Sequence, residues 1–192
     1  MRHKDTVTMR AIRYFAIFLW AMIWPVTAQA ITLETYAKNP DGYVLFIRHA
    51  LAPGTGDPPH FSLQDCQTQR NLNQQGLDQA KKLGAQLSKA GLTIADIFTS
   101  QWCRCKDTAR ALALGEVIEE PGLNSFYQDI VPKKETLARL QQKLGQIDDS
   151  KGITIMVTHF VTISAITGIG VSSGGMVSYN PKTGQAMPIE GR

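Results

Sequence analysis

Val44-Leu45-Phe46-Ile47-Arg48-His49-Ala50 is the stretch from which this 192-residue chain is read. Four consecutive apolar residues predict a strand covered on both faces, because a buried parallel strand has no polar face to show. Arg48 and His49 stand where that strand should end, and ligands of open α/β sheets bind just beyond the carboxyl ends of strands. A guanidinium is a planar fork of donors suited to phosphate, and an imidazole nitrogen can attack phosphorus.

A second apolar run, Ile153 to Val157, leads in the same way into Thr158-His159. The chain from residue 31 onward holds three histidines, His49, His60 and His159, and two of them follow a buried run. One histidine in such a place reads as structural; two read as a site. His60, in a Pro-rich polar loop, reads as a surface residue.

Working outward, Ile94–Thr99 is a third strand, and residues 116–123 are a weak fourth. Helices are expected over 31–38 as a short lead-in closed by the turn 39–42, and over 74–90, where Leu77, Ala80, Leu83, Gly84 and Leu87 share one stripe. Gly91 closes that helix. Another helix carries Trp102, Cys105, Ala109 and Leu112, with Ser100 able to cap it. Helices over 133–147 and 161–167 and a terminal edge hairpin around the turn 181–184 complete the pattern. Strands alternating with helices predict an α/β three-layer sandwich with a mainly parallel central sheet flanked by helices. The loop 51–70 is long for a compact domain and leaves from the strand carrying His49, so it is expected to wall the pocket.

Residues 1–30 read as a signal peptide: Arg2, Lys4, Arg10 and Arg13, then the apolar run Tyr14–Val26, then Ala28-Gln29-Ala30. That run is shorter than the roughly 20 residues of a membrane span. Residues 31–192 then form one domain, periplasmic or secreted, touching a membrane only through its leader. Four basic residues and one acid leave with the leader, so the net charge of +4 falls to about +1. The pI of 9.0 therefore argues for no nucleic-acid partner. In an oxidising compartment Cys66 is expected to pair with Cys103 or Cys105; three free thiols are the alternative. No ligand-like spacing supports a zinc site, so no metal and no cofactor are expected.

Four segments, in order, carry a resemblance. Arg48-His49-Ala50 resembles the Arg-His-Gly signature of the histidine phosphatase superfamily, the phosphoglycerate-mutase-like proteins. Leu72 to Ala80 is similar to its Leu-Thr-x-x-Gly-x-x-Gln-Ala, Ser100 to Ala109 to its Ser-Pro-x-x-Arg-Ala-x-x-Thr-Ala, and Val157-Thr158-His159 to its late Val-x-His. The resemblance implies that His49 carries a transient phosphohistidine while Arg48, Arg104 and His159 surround the phosphoryl oxygens. Arg70, just before the second helix, is a further candidate for substrate binding.

Two departures stand out. Ala50 replaces the glycine after the nucleophile. Leu123-Asn124-Ser125 stands where mutase-like members carry a Leu-x-Glu acid, so Asp129 becomes the candidate proton donor and Glu135 a remoter one. The expected function is an exported, metal-independent phosphatase of histidine acid type acting on a small phosphomonoester, with an envelope sugar phosphate as a conceivable substrate. The alternative is a weak or inactive phosphate-binding module of the same fold.

Overall fold

The structure, a computed structural model, describes residues 30–40 and 42–191; the leader expected over 1–30 lies outside them but for Ala30. The chain forms β1 (Ile31–Thr32), α1 (Leu33–Lys38), β2 (Val44–Arg48), α2 (Gln74–Lys89), β3 (Ile94–Thr99), α3 (Cys103–Leu112) and β4 (Val117–Glu119). It continues as α4 (Lys133–Leu144), β5 (Ile153–Thr158), α5 (Phe160–Thr167), β6 (Met176–Tyr179) and β7 (Ala186–Glu190). The strands make one sheet in the order β1-β7-β6-β2-β5-β3-β4. Pairing is parallel from β2 through β5 and β3 to β4, and antiparallel across β2-β6-β7. This is the expected mainly parallel α/β sheet flanked by helices.

Val44, Leu45, Phe46 and Ile47 of β2 are fully buried, as are Ile155, Met156 and Val157 of β5. Full burial on both faces is why these strands lack polar alternation. Their parallel register pairs Arg48 with Thr158, so His49 and His159 leave neighbouring strands side by side. The two histidines are therefore placed by the main-chain ladder.

The segment 72–80 holds the turn after His49. Asn73 caps α2 by accepting from the Gly76 amide at 2.8 Å. A Cβ at Gly76 would run into the Leu51 carbonyl, so only glycine lets the helix approach that turn. Gln79 then accepts from the Leu51 amide at 2.9 Å and donates to the Ser173 carbonyl at 2.8 Å.

Several boundaries differ from expectation. The lead-in begins as β1, which pairs in parallel with β7, so the terminal hairpin is interior by one strand. The weak strand is only Val117–Glu119, because Pro121 opens a 3₁₀ turn. α4 stops at Leu144, before Gly145. Ser100 does not cap α3, whose N-cap is Trp102; its hydroxyl serves the site instead.

Cys66 and Cys103 form a disulfide across a sequence separation of 37, leaving Cys105 as a buried thiol. The bridge ties the 51–70 loop to the first turn of α3. Closing a loop of that length stabilises the fold by about 3–4 kcal/mol through the unfolded chain's entropy. Cys66→Ser, or reduction, is expected to lower the unfolding free energy by that amount. An identical urea midpoint with and without dithiothreitol would show that the bridge contributes nothing.

Candidate active site

The carboxyl ends of β2, β3 and β5 converge on one pocket of about 380 Å³, lined by Arg48, His49, Arg70, Arg104, Ser125 and His159. Gly54, Thr55, Gly56, Tyr127, Phe160 and Val161 form the rest of its wall. The His49 and His159 rings meet edge to face, with centroids 5.5 Å apart.

His49 is 2% exposed. Its Nδ1 lies 2.8 Å from the Ala50 carbonyl, which can only accept, so Nδ1 carries the proton and Nε2 keeps a lone pair. Burial, with the charge of Arg104, pushes its pKa down to about 3. The imidazole is therefore neutral and nucleophilic at Nε2 at any physiological pH. Thr108 steadies the following turn: its hydroxyl accepts from the Ala50 amide at 2.9 Å and donates to the Arg104 carbonyl at 2.7 Å.

The tautomer of His159 follows from its neighbours. The Gln101 amide donates to Asn124 Oδ1 at 2.9 Å, which identifies that atom as oxygen. Ser100 Oγ spends its proton on the same oxygen at 3.1 Å, so it must accept from His159 Nε2 at 2.9 Å. Nδ1 is left unprotonated, 3.5 Å from Arg104 Nη2. Burial, then the charges of Arg104 and its neighbours, hold His159 well below the ordinary histidine range. A phosphate dianion in the pocket would draw a proton onto Nδ1 and turn it into a donor.

Three arginines enter the pocket already anchored. Arg48 Nη1 donates to the Val171 carbonyl at 2.9 Å. Arg70 clamps the loop by donating to the Gly56 and Ala52 carbonyls. Arg104, 3% exposed, is gripped at both terminal nitrogens by Asp57, at 2.7 and 3.0 Å. The Nε donors of Arg48 and Arg104 are buried without a partner, a cost each guanidinium bears in holding its place.

Asp57 was not visible as a site residue in the sequence. Its carboxylate also accepts from Trp102 Nε1 at 3.0 Å and the Arg70 amide at 3.2 Å. Burial alone would raise its pKa, but the hydrogen bonds and charge of Arg104, then Trp102 and Arg70, hold it below the usual range. Trp102 packs between Phe61 of the loop and His159, so the loop, the disulfide and the second histidine form one unit. Cys105 Sγ lies 3.5 Å from His159 Nε2 and donates to the Thr158 carbonyl at 3.6 Å. Burial pushes its thiol up to about 12, leaving it protonated and unreactive.

The candidate acids are elsewhere. Asp129 is exposed on the 3₁₀ turn Tyr127–Asp129 and does not line the pocket; Glu135 is exposed on α4. Gln128 and Asp129 both take positive φ, +64° and +54°. That turn lays the exposed Gln128 side chain against the loop, where Oε1 accepts from the Asp57 amide at 2.8 Å. Buried Ser125 occupies the pocket wall in the acid's place. Among the described residues, no three His, Cys, Asp or Glu side chains cluster as a metal site.

Residues 44–131 match the model of the histidine phosphatase superfamily, branch 1, a span that includes Arg48, His49, Arg70 and Arg104. Over that span the chain is similar to the histidine phosphatase superfamily. Solved structures share its fold. The protein histidine phosphatase SixA, complexed with tungstate, is 14% identical with a TM-score of 0.50, over 76% of this chain and 92% of that one. An Entamoeba histolytica phosphoserine phosphatase in complex with phosphoserine is 17% identical with a TM-score of 0.51, over 76% and 93%. The α-ribazole phosphatase of Shigella flexneri is 16% identical with a TM-score of 0.51, over the same shares. No curated protein matches in sequence. His159 lies beyond the matched span and joins the same pocket through the β2–β5 register.

Two buried neutral histidines couple the domain's stability to pH. Their folded pKa values lie below the unfolded 6.5, so below pH 6.5 the unfolded chain binds more protons and stability falls as pH falls. The slope is up to about 1.4 kcal/mol per pH unit per histidine. Urea denaturation from pH 7 to 5 is expected to show this loss, with a shallower slope in His49→Gln. A flat profile would contradict neutral burial.

Proposed function

We propose that the protein is an exported phosphatase that hydrolyses a small phosphorylated substrate through a phosphohistidine on His49. The observation that carries this reading is the convergence of Arg48, Arg70 and Arg104 on one pocket with a histidine whose free lone pair is on Nε2. Nε2 attacks phosphorus, the N–P bond forms and the bond to the leaving oxygen breaks, its electron pair departing with the leaving group. Water then attacks the phosphohistidine, the N–P bond breaks, and inorganic phosphate leaves neutral His49 behind. Arg48, Arg104 and Arg70 supply positive charge along the path, and His159 adds a donor once the bound dianion has raised its proton affinity and it has taken a proton from solvent.

Export is supported by the Cys66–Cys103 bridge, which persists in oxidising compartments, together with the basic, apolar, small-residue order of residues 1–30. A second reading, a phosphate-binding module without turnover, draws on Ser125 standing where an acid is expected.

Rapid acid-free quenching after mixing with a labelled phosphoryl donor separates the two. An acid-labile, base-stable phosphoprotein is expected. Saturable phosphate binding with no label from any activated donor would establish the binding module instead.

A further inference from the structure

Among the described residues only Ile118, Tyr127 and Phe160 are large, hydrophobic and exposed, and two of these, Tyr127 at 48% and Phe160 at 46%, border the pocket. Phe160 directly follows His159. Arg48 lies over its ring, 5.6 Å from the centroid, and Gly170 backs it so closely that a Cβ there would meet the ring edge at 2.8 Å. Tyr127 is set by the bond from its amide to Ser125 Oγ at 3.3 Å and by the neighbouring Gln128 latch to the loop. Two aromatic side chains, Phe160 held by Arg48 and Gly170 and Tyr127 on an anchored backbone, thus stand at the mouth of a cationic pocket, where phosphate recognition needs no apolar surface.

A second observation concerns the leaving group. Asp57 is locked in its ion pair, Asp129 and Glu135 face solvent, and no carboxyl is among the described residues lining the pocket. The enzyme therefore favours leaving groups that depart without a donated proton. A phenol, with a pKa of about 10, departs far more readily than an aliphatic alcohol, whose pKa is near that of water, about 16.

We propose that the substrate is an aryl phosphate monoester whose ring rests against Phe160 and Tyr127 while its phosphoryl group faces His49. This rests on His49 being the phosphoryl acceptor. The P–O(aryl) bond breaks, the aryloxide leaves with the bonding pair, and it takes its proton from solvent. Stacking of an aromatic group is worth a preference of about 2- to 12-fold, and the leaving-group difference multiplies it.

O-phosphotyrosine and O-phosphoserine form a matched pair for the test, with glucose 6-phosphate as a sugar ester. The phosphotyrosine kcat/KM is expected to exceed the other two by at least about 100-fold. Phe160→Leu and Tyr127→Ala each shrink the phosphotyrosine-to-phosphoserine ratio about tenfold, whereas Tyr127→Phe retains it. General damage to the pocket lowers both substrates together and leaves the ratio unchanged, which would overturn the ring seat. Equal use of phosphoserine or glucose 6-phosphate would overturn the substrate class, as would faster cleavage of phosphoimidazole than of phosphotyrosine. Labelling with phosphoramidate, a donor without a ring, keeps the two readings apart. A labelled enzyme with no aryl preference defeats only this inference, whereas no label from any donor defeats the phosphohistidine mechanism on which it rests.

Discussion

His49→Ala is expected to retain the fold and lose hydrolysis by on the order of 10⁴-fold or more, together with every trace of acid-labile phosphoprotein. The size follows from what the side chain alone provides. Nδ1 is committed to the Ala50 carbonyl and Nε2 carries the lone pair, so no water or neighbouring group inherits the same position. His159 cannot substitute, because its Nε2 is bound to Ser100 and its Nδ1 faces Arg104. The turn itself is held by the Thr108 and Gln79 side chains rather than by the imidazole, which is why the fold should survive. Single-turnover kinetics with matched circular dichroism check both halves; a variant with wild-type turnover would end the phosphohistidine mechanism.

The second large effect falls on a residue that is not among those lining the pocket. Asp57→Ala leaves the Arg104 guanidinium buried without its carboxylate, and removing one partner of a buried pair costs about 3–5 kcal/mol. Out of a total stability of about 5–15 kcal/mol, this is a major loss. Arg104→Ala should cost a similar amount by stranding the carboxylate. The double variant should cost less than the sum, with a coupling of about 0.5–3 kcal/mol. Because Asp57 is held below the ordinary carboxylate range, its contribution is complete above the unfolded value near pH 4 and is lost as pH falls through the folded one. Urea titrations of the four proteins at pH 7 measure the coupling. Strict additivity would mean that the pair is not one unit.

Much of this was readable in the sequence because burial writes itself into composition. The runs 44–47 and 153–157 are apolar for a reason that also fixes where Arg48, His49 and His159 must emerge, and the four family motifs fall in register with those strands. The helical stripe Trp102, Cys105, Ala109 and Leu112 was legible, but the pairing of Cys66 stayed open between Cys103 and Cys105 because the loop bringing Cys66 across has no period. Asp57 was invisible for the same reason. An aspartate between glycine and proline reads as turn chemistry, and only the tertiary placement of the loop against α3 turns it into the partner of Arg104. Asp129 illustrates the converse error of distance. It is four residues from Ser125, but the left-handed pair Gln128-Asp129 turns the glutamine side chain to the Asp57 amide and leaves the carboxylate in solvent.

The ladder that pairs Arg48 with Thr158 has an evolutionary corollary. Main-chain bonds, blind to side-chain identity, set the separation of the two histidines, so the reactive face withstands heavy sequence drift. That accounts for a shared architecture at 14–17% identity. On the proposed mechanism, selectivity falls to separate, easily rewritten parts, the stapled 51–70 segment and the Tyr127 and Phe160 rims, where a few substitutions can retarget the chemistry without retuning His49.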